Sequence, residues 1–549
     1  MKFKLPLLLL LMGIGFAKAQ NSFEQQKPKL VIGIVVDQMR YEYLTRFYNH
    51  YGDEGFKKII NEGFTANNGH FNYTPTYTGP GHASVFTGST PSTHGIISNE
   101  WYDKNLEEGV NCVLDTAMAL IGETGGNGKV SPHRLLVSTL ADELKFFTQS
   151  KSKSIGISIK DRGAVLPVGR TADAAYWYNK STGGFNSSTY YFKDQLPAWV
   201  RAFNNRKLAN QYLTSTWETL KPIDTYIESD PDDSRYETKM PTKRTSTFPY
   251  DLAAMKSKTN MGYSLLTVTP YANTIVTEMA KAAIEGEKLG QDGITDILTI
   301  SYSATDAAGH AFGPYAKEVQ DFYLRLDLEI AGLLKHLDTT VGEGQYTVFL
   351  TADHAVLDVP QRLIDHKMAG GYFSKTGLSD KINAHLVRYF GKGVYVESIS
   401  NNQVFLDKEF INSKKIDLYA VQNKVAQLLM GEPGIAEAYP SWMVMQTDFN
   451  AGGPIGNLVR GYHHKRSGDI LYYFQAGWMS GKGPIGTTHG SGYNYDTHVP
   501  ILLYGAGIRA GESHERYNIT DIAPTITTLL KIPFPSGCTG QPIKEALKH

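Results

Sequence analysis

Cysteine is nearly absent: 549 residues carry only Cys112 and Cys538. That excludes a disulfide-stapled scaffold, and two thiols so far apart do not make a cysteine-built metal site. Whether they pair in an oxidising compartment is left open by their wide separation. An excess of either charge is also missing, since Lys+Arg and Asp+Glu both count 54. A neutral chain has no broad electrostatic grip on polyanions, so no nucleic-acid partner is expected. Beyond the N-terminus no apolar run is long enough to span a bilayer. There is no internal repeat and no low-complexity linker. What remains is an ordinary globular composition, 41% hydrophobic and 20% charged, in a chain long enough to bury a large core.

The first twenty residues, MKFKLPLLLLLMGIGFAKAQ, place Lys2 and Lys4 before an apolar run from Leu5 to Phe16, and Ala17-Lys18-Ala19 follows. This is the pattern of a secretory signal cleaved after Ala19, and the apolar run is short for a membrane anchor. The expected mature protein has no membrane span and lies in the periplasm or outside the cell. Its oligomeric state is not written in the sequence.

Apolar, β-branched runs read as buried strands at Leu30–Met39, Ser154–Pro167, Asp296–Asp306, Tyr346–Ala355 and Val499–Ile508. Amphipathic segments such as NTIVTEMAKAAIEGEKLG and VQDFYLRLDLEIAGLLKHLD lie between them. Strand alternating with helix predicts an α/β fold: a doubly wound, mostly parallel sheet with helices on both faces. Two irregular stretches, 171–265 and 371–465, read as insertions in one large domain spanning residues 20–549, and they form cap segments over the sheet.

Three of these strands end in an acidic residue: Asp37, Asp306 and Asp353. One such aspartate usually just caps the next helix. In open parallel sheets, however, ligands bind beyond the carboxyl ends of the strands, so the three can converge. His310 stands four residues after Asp306, where one helical turn puts both on one face. His354 adjoins Asp353, and His489 lies in a glycine-rich loop before Val499. Carboxylates and imidazoles suit a borderline metal such as Zn²⁺. Three of each exceed one tetrahedral ion and match two neighbouring ions with open positions. His82, His463 and His464 read as structural.

The segment TPTYTGPGHASVFTG, Thr74 to Gly88, crowds glycine and proline into a turn before a short apolar run. Pro80 suits a first helical turn, which puts Thr78 at a helix entrance, where backbone N–H groups favour an anion. Alone, Thr78 reads as an N-cap. Beside metal ions, a weak hydroxyl nucleophile becomes serviceable. Lys160 and Arg162, two apart in IKDRG, share one side of an extended segment and form a clamp for phosphoryl oxygens. Asn99 in ISNEW offers a further donor.

The segments VVDQMR, TYTGPGHASVFTG, GIISNEWYD, IKDRGAVLPVG, SATDAAGHAFGP, TADHAV, HGSGYNYDTHVPILLYG and TDIAPTITTLL together resemble the alkaline phosphatase superfamily. Within it the chain resembles the phosphate-irrepressible, PafA-type bacterial alkaline phosphatases, which share a core with nucleotide pyrophosphatase/phosphodiesterases. The resemblance covers most of the mature chain. It implies two Zn²⁺ per chain, one held by Asp37, Asp353 and His354 with Thr78, the other by Asp306, His310 and His489. It also implies phosphoryl contacts from Asn99, Lys160 and Arg162, and hydrolysis of small phosphate monoesters through a phosphothreonine. Three other activities compete with this one. Phosphodiester or nucleotide pyrophosphate hydrolysis fits the same core, but the cationic clamp favours the doubly charged monoester. A sulfatase would need Cys or Ser where Thr78 stands. A catalytically silent metal-binding protein would not need Thr78.

Overall fold

The computed structural model describes residues 27–481 and 483–548; the signal reading at residues 1–19 lies outside them. A ten-stranded sheet forms the centre. In chain order its strands, with those of a second sheet, are β1 Leu30–Val36, β2 Phe64–His70, β3 Leu120–Ile121, β4 Ser154–Ser158, β5 Ala174–Tyr178, β6 Phe185–Ser188, β7 Asp296–Tyr302, β8 Tyr346–Thr351, β9 Val396–Ser400, β10 Gln403–Leu406, β11 Ile435–Pro440, β12 Ile470–Phe474, β13 His498–Gly505 and β14 Gly511–Asn518. The large sheet runs β14-β2-β13-β8-β1-β7-β4-β5-β6-β3. Strands β8, β1, β7, β4 and β5 are mutually parallel. Every residue of these five is buried, so both side-chain faces are covered, as a central parallel sheet requires.

The sheet is mixed at its flanks. Strand β13 is antiparallel to β8 and to β2, and β6 is antiparallel to β5. The expectation of a mostly parallel sheet therefore holds, with antiparallel pairs confined to the flanks, where β14 is again parallel to β2. The antiparallel strand has a functional consequence. The N-terminal end of β13 lies at the same edge as the carboxyl ends of β1, β7 and β8. The loop before β13 thereby reaches that edge from the opposite chain direction.

A correction concerns Ser154–Pro167, expected as one strand. Strand β4 stops at Ser158 and helix α1 (Asp161–Val168) follows. The Ser158 hydroxyl accepts from the Lys160 backbone N–H at 3.1 Å and turns the chain. Lys160 becomes the extended N-cap residue, with φ −103° and ψ 132°, and Arg162 lies in the first helical turn. The two cations therefore stand at a helix entrance, not along an extended segment.

The second sheet, β9-β10-β12-β11, is antiparallel throughout. It packs with helices Leu378–Phe390 and Leu418–Met430 around its own apolar cluster, which includes Leu386, Val404, Val425 and Ile470. Both cysteines are free. They sit at opposite ends of the helix Thr78–Thr87: Cys112 Sγ lies against Gly79, and Cys538 Sγ against Gly88. A helix of that length spans roughly 15 Å, far beyond disulfide reach. Among the described residues no helix is long and apolar enough to cross a membrane.

Candidate active site

Each expected site residue is carried to one edge of the large sheet. Asp37 follows β1 directly, and Asp353 and His354 come two and three residues after β8. Asp306 and His310 lie one turn apart on the helix Ala304–Phe312, which starts just after β7. His489 arrives on the loop before β13, and Thr78 is the first residue of the helix Thr78–Thr87, reached from the carboxyl end of β2. Tyr77, extended, is the N-cap residue, and no side chain caps this helix. The turn expected from glycine and proline is thus present, with Pro80 in its first turn. Gly81 is required by close approach: a Cβ there would lie 2.1 Å from the Asp353 carbonyl oxygen. The first turn of the helix is seated directly on Asp353.

Two groups of ligand-type residues result, Asp37/Asp353/His354 and Asp306/His310/His489. In the first, His354 Nε2 lies 3.5 Å from Asp37 Oδ1 and 3.6 Å from Asp353 Oδ2. In the second, Asp306 Oδ1 lies 3.1 Å from His310 Nε2 and 3.6 Å from His489 Nε2. The His354 and His489 rings stack with centroids 3.4 Å apart, so the two groups are contiguous. Each imidazole directs Nδ1 to a backbone carbonyl: His354 to Ala355 at 3.0 Å, His310 to Thr487 at 2.8 Å and His489 to Thr76 at 2.6 Å. Donation from Nδ1–H leaves Nε2 as the free lone pair, the arrangement that orients a ligating histidine. Asp37 Oδ1, Asp353 Oδ2 and His354 Nε2 are buried without a hydrogen-bond partner. Buried polar atoms left unpaired are costly, and a cation among them satisfies all three. The donor set, two carboxylates and an imidazole followed by one carboxylate and two imidazoles, fits divalent metal ions.

The electrostatics follow from this crowding. Burial, then the Asp353 carboxylate, pushes Asp37 well above the ordinary carboxylate range. Burial opposes ionisation of Asp306 as well, but His310 and Lys160 hold it well below that range. Burial likewise opposes ionisation of Asp353, and His354 and His82 keep it low. Burial, with His354 and His310 beside it, draws His489 well down and keeps the ring neutral, as a metal ligand must be. Lys160 reaches into the pocket and donates to Asp37 Oδ2 at 2.7 Å and Asp306 Oδ2 at 2.6 Å. Asn99 Oδ1 accepts from the Gly79 N–H at 2.6 Å, which turns its amide N–H₂ group outward as a donor. The Nε of Arg162 is buried without a partner.

Two residues were not singled out by sequence reasoning. His82, read there as structural, is fully buried. It directs Nδ1 to the Thr78 carbonyl at 2.9 Å and lies 3.3 Å from Asp353 Oδ2, while Nε2 meets the Ser301 hydroxyl at 2.9 Å. Its position four residues after Thr78, one helical turn on, was the available signal. Gln38 joins the two groups: its backbone N–H donates to Asp353 Oδ1 at 3.1 Å and its side chain to Asp306 Oδ1 at 2.6 Å. It does so from a left-handed backbone conformation, φ 67°, which no sequence pattern signalled. A cavity of about 180 Å³ adjoins His489 and is walled by Tyr77, Tyr472, Phe474 and Trp478.

Comparison with known proteins gives a consistent result. Residues 31–496 match the family described as type I phosphodiesterase / nucleotide pyrophosphatase. The chain is 42% identical over 535 residues to the alkaline phosphatase PafA of Elizabethkingia meningoseptica, covering 97% of each protein. It is 40% identical to the alkaline phosphatase PhoV of Synechococcus elongatus, covering 99% of this chain and all of that one. The crystal structure of PafA superposes with a TM-score of 0.91 at 42% identity, over 95% of this chain and 99% of that one. A PafA variant with one threonine changed to serine and an asparagine, a lysine and an arginine changed to alanine superposes at 0.90. On this evidence of sequence and fold, the chain belongs to the type I phosphodiesterase/nucleotide pyrophosphatase family, alongside the PafA-type alkaline phosphatases.

Proposed function

We propose that this protein is a secreted alkaline phosphatase that hydrolyses small phosphate monoesters through a phosphothreonine on Thr78, with two Zn²⁺ and weaker activity on diesters. One observation carries the proposal: the entrance of the Thr78 helix is packed onto Asp353 and joined through His82 and Thr76 to both Asp/His groups. We assign one ion to Asp37, Asp353, His354 and Thr78, and the other to Asp306, His310 and His489. Bound there, divalent ions would lower the pKa of a ligated hydroxyl and offset charge on the entering and leaving oxygens.

The protein's own groups have separable tasks. Thr78 Oγ1 attacks phosphorus in line with the leaving alcohol; the new O–P bond forms as the ester P–O bond breaks. Water then attacks the phosphothreonine, releases inorganic phosphate and restores the hydroxyl. Lys160, Arg162 and the amide of Asn99 bind the non-bridging oxygens, whose charge is spread in the transition state. Backbone N–H groups at the helix entrance add to that field. Support comes also from the PafA variant: its altered threonine, asparagine, lysine and arginine occur in the order of Thr78, Asn99, Lys160 and Arg162, with the same Thr–Asn and Lys–Arg spacing.

Two cations at the phosphoryl group favour a dianionic monoester over a diester, which carries one charge fewer. The test is kcat/KM for a matched aryl monoester and diester, with chelator and zinc add-back. Monoester preference that is lost on chelation and restored by zinc is expected. Diester preference would reassign the substrate, and activity indifferent to chelation would remove the metals. Residues 20–549 are proposed to act as one catalytic domain with 371–465 as an insertion; the stretch 171–265, also expected as one, instead begins by supplying β5 and β6 of the large sheet, so only its remainder is proposed as inserted.

A further inference from the structure

The motif GYHHKRSGD takes no part in the reaction centre. Its His463, His464, Lys465 and Arg466 line a surface cavity of about 440 Å³ together with Trp101 and Arg134. This cavity shares no lining residue with either Asp/His group.

The side-chain chemistry of the cavity is one-sided. The guanidinium carbons of Arg134 and Arg466 lie 5.7 and 5.3 Å from the Trp101 ring centroid. Arg466 commits Nη1 to the backbone carbonyls of Gly95 and Arg134, and among the described residues its Nε and Nη2 donate to nothing. Arg134 gives Nε to the Leu114 carbonyl at 3.2 Å and Nη1 to Asp103 Oδ2 at 3.5 Å. Among the described residues Asp103 is the only carboxylate lining the cavity. Trp101 is buried, and its Nε1–H has no hydrogen-bond partner. Burial and the neighbouring Arg134 pull Arg466 down to about 10, and burial and Arg466 hold His463 near 4, so its ring is neutral at ordinary pH. Both shifts come first from burial and second from neighbouring positive charge. Exposed His464 and Lys465 alone would be a solvated face. Two guanidiniums over one indole, with Nη2 of each and the indole N–H not engaged among the described residues, make a wall with donors to spare, which is the chemistry that recognises an oxyanion.

We propose that this cavity is a second anion site, for a phosphate-class oxyanion, distinct from the reaction centre. The segment between Gly95 and Asp103 links the two: it places Asn99 against Gly79 and, two residues later, Trp101 in the cavity wall. The same chemistry serves free inorganic phosphate and a phosphate group carried on an organic molecule.

Equilibrium dialysis of the metal-loaded full chain against labelled inorganic phosphate at low ionic strength tests this. Two phosphates per chain are expected. Lys465→Gln, an exposed side chain with no partner among the described residues, weakens only the second class, by about threefold, and Arg134→Gln by about tenfold. Both variants keep the wild-type kcat/KM on a small aryl phosphate, which also reports their folding. Benzylphosphonate, whose C–P bond is not hydrolysed, separates the sources: if it displaces both classes, the site accepts organic phosphates; if it displaces only the first, the site takes the free ion. Saturation at one phosphate per chain, or a second class untouched by both substitutions, overturns the proposal.

Discussion

The two Asp/His groups are built from the same residue types but live in different surroundings. Asp37, Asp353 and His354 are each 0% exposed, whereas the His310 side chain is 36% exposed and Asp306 and His489 retain 6% and 9%. The inner group is roofed by the Thr78 helix and touched by His82. The outer group hangs on one helical turn and on the loop before β13. A buried set of ligands is rigid and closed to water; an open set leaves room for a departing alcohol and an arriving water molecule. The difference supports the proposed division of tasks, with the inner group at the nucleophile and the outer group at the leaving and entering oxygens.

The largest expected effect tests the inner group through its nucleophile. Thr78→Ala should lower monoester kcat/KM by at least about 10³-fold even with both ions kept bound by their Asp and His residues, since it deletes the proposed attacking atom; undiminished phosphate release would break the assignment. Next is the clamp that lies between the groups. Lys160→Ala and Arg162→Ala should each cost about 10²–10³-fold on a monoester and less on a diester. Equal losses on both substrates would mean that the cations do not sense the second charge.

His82→Gln sharpens the comparison directly. It removes an imidazole from the back of Asp353 while leaving the outer ligands alone. Metal titration followed by mass spectrometry should show one of two ions weakened about 10–100-fold, the usual size for a residue supporting a ligand. Equal weakening of both ions would show that the groups are one unit.

The smallest effect on activity lies outside both groups and serves as their control. Glu318 is fully buried, and burial pushes its carboxyl from 4.5 up to about 8, against the hydrogen bond donated by Tyr250. Between pH 4.5 and 8 the folded state therefore keeps a proton that the unfolded state has lost. The stability linked to this group is greatest at acid pH, falls as pH rises, and is lowest above 8, by on the order of a few kcal/mol. Glu318→Gln should raise Tm more at pH 9 than at pH 5 and leave kcat/KM unchanged. A Tm gain that is the same at both pH values would remove this titration from the account.

Much of the fold was legible because buried strands write themselves as apolar, β-branched runs, and β1, β7 and β8 were found that way. So was Asp306/His310, because a four-residue spacing on a helix is a local fact. The helix entrance at Thr78 was legible through its glycine- and proline-rich turn, and the convergence of Asp37, Asp306 and Asp353 through their places at strand ends. The misses were of a different kind. Ser154–Pro167 looked continuous, yet a single hydroxyl-to-backbone bond at Ser158 ended the strand and moved Lys160 and Arg162 onto a helix entrance. The neighbour of His82 could not be foreseen, because nothing local announces that Asp353, 271 residues away in the chain, lies 3.3 Å from its ring. Gln38 looked ordinary because its role depends on a left-handed backbone and on two distant carboxylates.

By itself the sequence determined the chemical inventory: three aspartates and three histidines suited to metal, a threonine at a helix entrance, two cations and an amide, and the strands that carry them. Tertiary structure decided how these meet. It placed antiparallel β13 beside β8 so that His489 reaches an edge otherwise made of strand carboxyl ends, and it buried one group of ligands while leaving the other open. The reason is physical. Residue type and local spacing set what a side chain can bond, but burial and long-range pairing come from strand order, which no single segment encodes.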